Sequence, residues 1–359
     1  MRREELIKLA IELNASDIHV APYAVPMFRV NGILQPMENC EIMTNEAILE
    51  AVHELCSEGQ LEKLEHSGEV NFSFSITEHG RFRVNIIKQR GTYSVSIRIL
   101  KLVIPSKDVL ELPTSIFELA NQGRGLLLIS GAAGSGRSTT MAAIVQHLNQ
   151  TQSLNIITVE SPIEYLFKHD KSVVLQRDVG TDCDSIHEGV KSIMRHDPDV
   201  VMISDIEDDG VAELALQIAE SGKLVIAGYS SINTVTTIEA MIASTRSERM
   251  VSRKFKLAYN LLAIFSQRLV PGLQDGKRVV IYELLLPNAA TRTHIVNDAF
   301  VELRNTLIIG KKQGMINMDT HLFERYLEGA ISQDTLYKYA QDIDLIKRME
   351  KTKVRGDLL

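Results

Sequence analysis

The chain has 359 residues, 45% of them apolar, which suffices for two ordinary buried cores. A formal charge of −7 argues against a broad nucleic-acid footprint, which needs a basic face, and 5% aromatic content without Trp leaves no base-stacking platform. Cys40, Cys56 and Cys183 are too scattered for a disulfide framework or a zinc pair, and no apolar run approaches the ~18 residues of a membrane-spanning helix.

Residues 1–102 read as a small α+β domain. Leu6, Leu9, Ala10 and Leu13 recur at helical spacing, predicting an amphipathic helix over residues 3–14. Short strands are expected at Ile18–Val20 and Met27–Val30, with Asn31-Gly32 as a turn, then two helices between Met43 and Leu64. Val70, Phe72, Phe74 and Ile76 alternate with polar residues as a half-buried strand. Thr77 to Gly80 supplies the turn, and the return strand from Arg81 to Ile87 puts Arg81 and Arg83 on one face. Residues 103–114, bracketed by Pro105 and Pro113, read as a linker, after which Ser115–Glu118 matches a capping box. Residues 115–359 read as an α/β domain. Its buried parallel strands are expected at Leu126–Ile129, Ile156–Val159, Val200–Ser204 and Leu224–Ala227, and a helical part begins near Met318.

Gly131-Ala132-Ala133-Gly134-Ser135-Gly136-Arg137-Ser138-Thr139 sits between an apolar strand and a helix, the context that a Walker A loop requires. Glycines let the backbone N–H groups converge on phosphate, and the helix adds its positive N-terminal end. Ser138 occupies the position whose hydroxyl holds Mg²⁺. Arg137 stands where the motif has Lys, a non-conservative exchange of a compact ammonium for a planar guanidinium. The loop therefore predicts binding of ATP with Mg²⁺ and leaves hydrolysis as a separate question.

A series of segments in order resembles the PilT-like ATPases of the type IV pilus and type II secretion superfamily. Ala15-Ser16-Asp17-Ile18-His19 resembles their ASDLH motif, Arg29-Val30-Asn31-Gly32 their RVDG turn, and Gly80-Arg81-Phe82-Arg83-Val84-Asn85 their GRFRVN segment. Thr158-Val159-Glu160-Ser161-Pro162-Ile163-Glu164-Tyr165 resembles the Asp box, and Asp197-Pro198-Asp199-Val200 the entry to the Walker B strand. Ser266-Gln267-Arg268-Leu269, Gly310-Lys311-Lys312 and Gly329-Ala330-Ile331-Ser332 match later landmarks. The resemblance implies a PAS-like N-terminal domain, a RecA-like P-loop NTPase domain with a helical C-terminal part, and a hexameric ring. The ring would be homomeric or mixed with an intact paralogue. It would work at the cytoplasmic base of a pilus or secretion machine, against an inner-membrane platform protein. Arg81, Arg83, Arg90 and Arg98 match arginines that face nucleotide in the family, and Glu160, Glu164 and Asp205 are the candidate catalytic carboxylates.

Several positions depart from the family pattern. Asp205 replaces the Walker B glutamate, Glu207 an arginine, and Ser161 the aspartate of the Asp box. Lys223 and Ser230 occupy the two histidine positions of the His box. Of the AIRNLIRE retraction motif, residues 290–297 keep Arg292 but carry Val296 and Asn297 at its end. Losing one preorganised electrostatic group costs on the order of 10²–10³ in rate, so the combination predicts slow or absent hydrolysis. An active retraction ATPase with adapted residues is the alternative. A P-loop kinase would need an acceptor-binding lid, for which the sequence offers no motif.

Overall fold

The computed structural model describes residues 3–13, 15–30, 33–37, 40–76, 80–99, 103–274 and 277–354. The turns expected at Asn31-Gly32 and Thr77–His79, and the expected helix end at Asn14, lie outside them. The chain divides into two compact units. One is Met1–Val103 together with Glu164–Leu166 and Gly180–Asp182; the other comprises Ile104–Ile163, Phe167–Val179 and Cys183–Leu359.

The first unit runs α1 (Arg3–Glu12), β1 (Asp17–Val20), β2 (Met27–Val30), β3 (Ile33–Pro36), α2 (Asn45–Leu55), α3 (Glu58–Ser67), β4 (Glu69–Ile76), β5 (Gly80–Gln89) and β6 (Thr92–Ile99). Its antiparallel sheet has the order β3-β2-β1-β6-β5-β4. Phe82, Val84 and Ile86 alternate along β5 into a core shared with Ile7, Ile48, Val52 and Leu64. Arg81 and Arg83 consequently take the other face. Arg90 and Gly91 close the β5–β6 hairpin as a two-residue loop with φ of 47° and 80°, the type I′ geometry that suits strand twist. The sequence reading names no strand at β3 or β6. All four residues of β3 are exposed, so no alternation marks it. β6 does alternate, with Val95 and Ile97 buried.

The second unit opens with α4 (Thr114–Ala120), β7 (Gly125–Ser130), α5 (Arg137–Thr151), β8 (Asn155–Glu160), β9 (Val173–Asp178), α6 (Ile186–Ile193), β10 (Val200–Ile203), α7 (Asp209–Glu220) and β11 (Leu224–Tyr229). It continues through α8 (Thr234–Ala243), α9 (Met250–Asn260), β12 (Leu261–Pro271), β13 (Arg278–Leu285), α10 (Ala289–Val296), α11 (Phe300–Ile309), α12 (Met318–Leu327), α13 (Gln333–Tyr339) and α14 (Ile343–Val354). The sheet order is β13-β12-β7-β11-β10-β8-β9, parallel except for the β12–β13 pair. Two apolar layers enclose it: α4 and α5 pack on one face, and α6 to α11 on the other. The capping box expected at Ser115 does not form; the N-cap is Pro113, two residues earlier, with no side-chain cap. Proline presets the entry angle, and Thr114 is already helical.

Candidate phosphate-binding site

β7 carries the site. Leu126 to Ile129 are fully buried, and the strand lies between β12 and β11, so its C-terminal end opens at the centre of the sheet edge. The chain then turns through residues 131–136 into α5. A Cβ on Gly131 would fall 2.3 Å from Ser135 Oγ and 2.5 Å from the Gln267 carbonyl oxygen, so only glycine fits. Gly134 and Gly136 adopt φ of 77° and 92°, the left-handed region. Gly136 is the N-cap of α5, and no side chain caps the helix. The result is a curled backbone ending at an uncapped helix N-terminus, which matches a phosphate in shape and charge. The Ser135 hydroxyl is buried in this cradle with no hydrogen-bond partner among the described residues.

Arg137 does not extend along the loop. Its Nη1 and Nη2 donate to Asp205 Oδ1 and Oδ2 at 3.1 and 3.2 Å, a bidentate pair. Both side chains are largely covered, at 16% and 29% exposure. The two departures read separately from the sequence thus hold each other. Lysine, a point charge on one nitrogen, lacks the planar fork that makes these two parallel contacts. Asp205 is itself fixed by backbone on both flanks: Ser204 N–H donates to Val159 O at 3.0 Å, and Ile206 N–H to Gly228 O at 2.8 Å. A Cβ on Gly228 would lie 2.1 Å from Ser204 O, so glycine there is what lets β11 close on the end of β10. Partial burial, with the charges of Asp205 and Asp208, pushes the Glu207 carboxyl up. Burial, then the Asp205 charge, raises the Tyr229 phenol, partly offset by Arg253.

Glu160 ends β8, is 5% exposed, and accepts hydrogen bonds from Thr158 Oγ1 (2.6 Å) and Gln176 Nε2 (3.0 Å). Ser230 follows β11 at the loop end of the sheet and is exposed. Lys223 is a correction to the sequence reading. It precedes β11, level with the start of β7, roughly 20 Å from the loop at ~3.3 Å per residue. Its Nζ pairs with Asp197 at 3.2 Å and Asp199 at 3.8 Å, so its change does not belong to this site.

Glu164 is exposed and belongs to the first unit. So do the four arginines, and they do not form one cluster. Arg83 and Arg98 are direct cross-strand neighbours, Arg81 lies two residues before Arg83, and Asp17 pairs between Arg98 and Arg29. Arg98 Nε donates to Asp17 Oδ1 at 2.8 Å. Arg90 sits in the hairpin loop at the far end of β5, about 20 Å along the strand from Arg83 at ~3.3 Å per residue.

Gln267 was not singled out by the sequence as a site residue. Its Nε2 donates to Ser135 O at 2.7 Å and its Oε1 accepts from Thr140 Oγ1 at 2.7 Å. It sits about 130 residues beyond the loop, so no local pattern could reveal it. Among the described residues no cluster of three or more His, Cys, Asp or Glu forms a metal site.

A model of the type II/IV secretion system protein family matches residues 3–341. The chain belongs to this family. It is 31% identical over 358 residues to the type IV pilus ATPase PilU of Pseudomonas aeruginosa, covering 99% of this chain and 93% of that one. A crystal structure of the pilus retraction motor PilT with bound ADP superposes with a TM-score of 0.91 at 35% identity, covering 97% of this chain and 100% of that one. The ATPase DotB of Legionella pneumophila shares the fold, with a TM-score of 0.81 at 22% identity over 93% of each chain. Within the type II/IV secretion family, the first unit is the PAS-like N-terminal domain and the second the RecA-like domain with its helical C-terminal part.

Proposed function

We propose that the chain is a nucleotide-binding subunit of a type IV pilus or secretion motor ring whose hydrolysis is weakened. The observation that carries the reading is the two-point contact between Arg137 and Asp205 beside an otherwise intact phosphate loop. Glycines 131, 134 and 136 and the N-terminus of α5 hold the phosphates of ATP through backbone N–H groups. Ser135, Ser138 and Thr139 line that cradle, with Ser138 contributing the hydroxyl to Mg²⁺. Bound Mg·ATP supplies the phosphoryl chemistry of the family. Asp205, neutralised by Arg137, is poorly placed to orient a water, and Arg137 is drawn away from the phosphates. Glu160, buried and already accepting two hydrogen bonds, supports the loop end of the sheet more than it acts as a base.

Residues 1–102 and 115–359 act as the two functional domains, joined by residues 103–114. Arg81, Arg83 and Arg98 form the face that would meet the nucleotide of a neighbouring subunit, and Arg90 would serve a separate contact. The ring is homomeric or mixed with an intact paralogue and docks on a membrane platform from the cytoplasmic side. No helix among the described residues is long and apolar enough to cross a membrane itself. An active retraction ATPase is the second reading. It is favoured by the 29% exposure of the Asp205 side chain, which leaves room for nucleotide to open the pair.

Titrating labelled ATP into the wild type and Gly136→Val tests the binding, while solution mass with and without Mg·ATP tests the ring. Wild type should bind and assemble further with nucleotide. Gly136→Val, which forces a side chain into left-handed backbone, should bind at least tenfold more weakly. Equal affinity in the two proteins rejects the loop as the site, and a strict monomer in all conditions rejects the ring.

A further inference from the structure

The segment Ser266-Gln267-Arg268 matches a family landmark without a role, and the structure places it consecutively along β12, starting with Ser266 opposite Ser130, the last residue of β7. Gln267 is 3% exposed and touches both ends of the phosphate loop. Its backbone oxygen underlies Gly131, and its Nε2 lies 3.1 Å from where a Cβ of Gly136 would be. The same amide donates to Ser135 O and accepts from Thr140 in the first turn of α5.

On either side of Gln267, β12 and its partner reach the C-terminal helices. Arg268 Nη1 donates to Tyr339 O, the last residue of α13, at 2.9 Å. Tyr282, paired with Gln267 on β13, has its ring centroid 3.9 Å from that of His321 in α12, and its N–H donates to His321 Nδ1 at 3.1 Å. Glu283, paired with Ser266, is 3% exposed and bridges two helix N-termini. Its Oε1 accepts from Thr234 N–H (2.9 Å) and Oγ1 (2.6 Å) at the start of α8, and its Oε2 from Met318 N–H (3.3 Å) at the start of α12. A helix N-terminus favours a carboxylate, so this bridge fixes both helices to the same strand pair.

We propose that Gln267 is a positioning residue that sets the phosphate loop for nucleotide, and that β12 passes the state of the loop to α12 and α13 through Arg268 and the Tyr282–His321 contact. The proposal rests on nucleotide binding at the loop. Phosphate drawn into the cradle pulls on Ser135 and the first turn of α5, both of which Gln267 holds. A shift of the Gln267 side chain is shared with its neighbours on a packed, hydrogen-bonded strand. Rigid two-point support of a loop by a distant side chain is also what keeps a binding backbone within the tolerance that phosphate contacts need.

The test measures Mg·ATP affinity and amide hydrogen exchange in the full chain for wild type, Gln267→Leu, Gln267→Glu, Thr140→Val and Arg268→Ala. Nucleotide should slow exchange in residues 333–339 of the wild type. Gln267→Leu should weaken affinity about tenfold, and Gln267→Glu further, because it keeps the Thr140 contact but adds a negative charge beneath the phosphates. Thr140→Val, which removes one hydrogen bond and keeps the shape, should weaken affinity less and covers the case in which a Gln267 variant does not fold. Arg268→Ala should move affinity least and abolish the protection of α13. A merely structural role predicts lowered stability in both Gln267 variants with unchanged affinity. Wild-type affinity in the Gln267 and Thr140 variants, or nucleotide protection of α13 that survives in Arg268→Ala, overturns the proposal. Absence of nucleotide binding in the wild type overturns it together with the functional reading, whereas binding that Gly136→Val abolishes and Gln267→Glu leaves intact overturns the proposal alone.

Discussion

At the scale of single residues, the site turns on one guanidinium with two claimants. Arg137 meets both oxygens of Asp205, and bound phosphate would draw on the same charge. Asp205 also repels phosphate directly. Removing its charge while keeping its shape therefore favours the nucleotide twice over. Asp205→Asn is expected to tighten Mg·ATP binding about tenfold at low ionic strength and by less in high salt, read by titration. Unchanged or weaker affinity would show that the pair does not compete with the ligand. The glycines of the loop are legible in the sequence because a tight strand-to-helix turn is built from consecutive residues. The pairing of Arg137 with Asp205 is not legible there, because 68 positions separate the two residues. Gln267 and Gly228 were missed for the same reason: their roles exist only where strands meet.

At the scale of elements, hydrophobic pattern identified the parallel strands β7, β8, β10 and β11, since strands buried on both faces are continuous apolar runs. β12 and β13 mix apolar residues with Ser266, Gln267 and Glu283, so the same signal is diluted where the sheet supports the loop. In the first unit, period two correctly set Arg81 and Arg83 on one face. Pairing partners could not be read, so the distance of Arg90 from that face went unseen. In the row Arg29-Asp17-Arg98-Arg83, Asp17 separates Arg29 from Arg98 and offsets the repulsion that Arg98 meets from its direct neighbour Arg83. Burial alone would raise the Asp17 carboxyl, but hydrogen bonds from Ser16 and Arg98 and the Arg98 charge outweigh it and hold it below its ordinary value. Its stabilisation is therefore complete above the ordinary carboxylate range and is lost as pH falls through the lowered value. Asp17→Asn should destabilise the first unit by about 1–3 kcal/mol at neutral pH and flatten this acid dependence, measured by urea unfolding. An unchanged midpoint at neutral pH would mean the arginine face does not depend on Asp17.

At the scale of the whole molecule, the chain matches the type II/IV secretion family along residues 3–341 while departing from the resemblance's sequence pattern at Arg137, Asp205, Lys223 and Ser230. The structure narrows those changes. Lys223 lies at the opposite end of the sheet from the loop, while Arg137 and Asp205 pair beside it, and we propose that this pair bears on turnover. The curled loop and the row of arginines on β5 and β6 are both formed, and under the proposed reading nucleotide-dependent assembly does not require hydrolysis. The most direct measurement is steady-state ATP turnover at saturating Mg·ATP, comparing wild type with Arg137→Lys/Asp205→Glu, both shown to be folded and nucleotide-bound. Turnover in the double variant should exceed wild type by about 10²-fold, the scale of one restored electrostatic group. Robust wild-type turnover that the double variant leaves unchanged would contradict a site held back by its own ion pair.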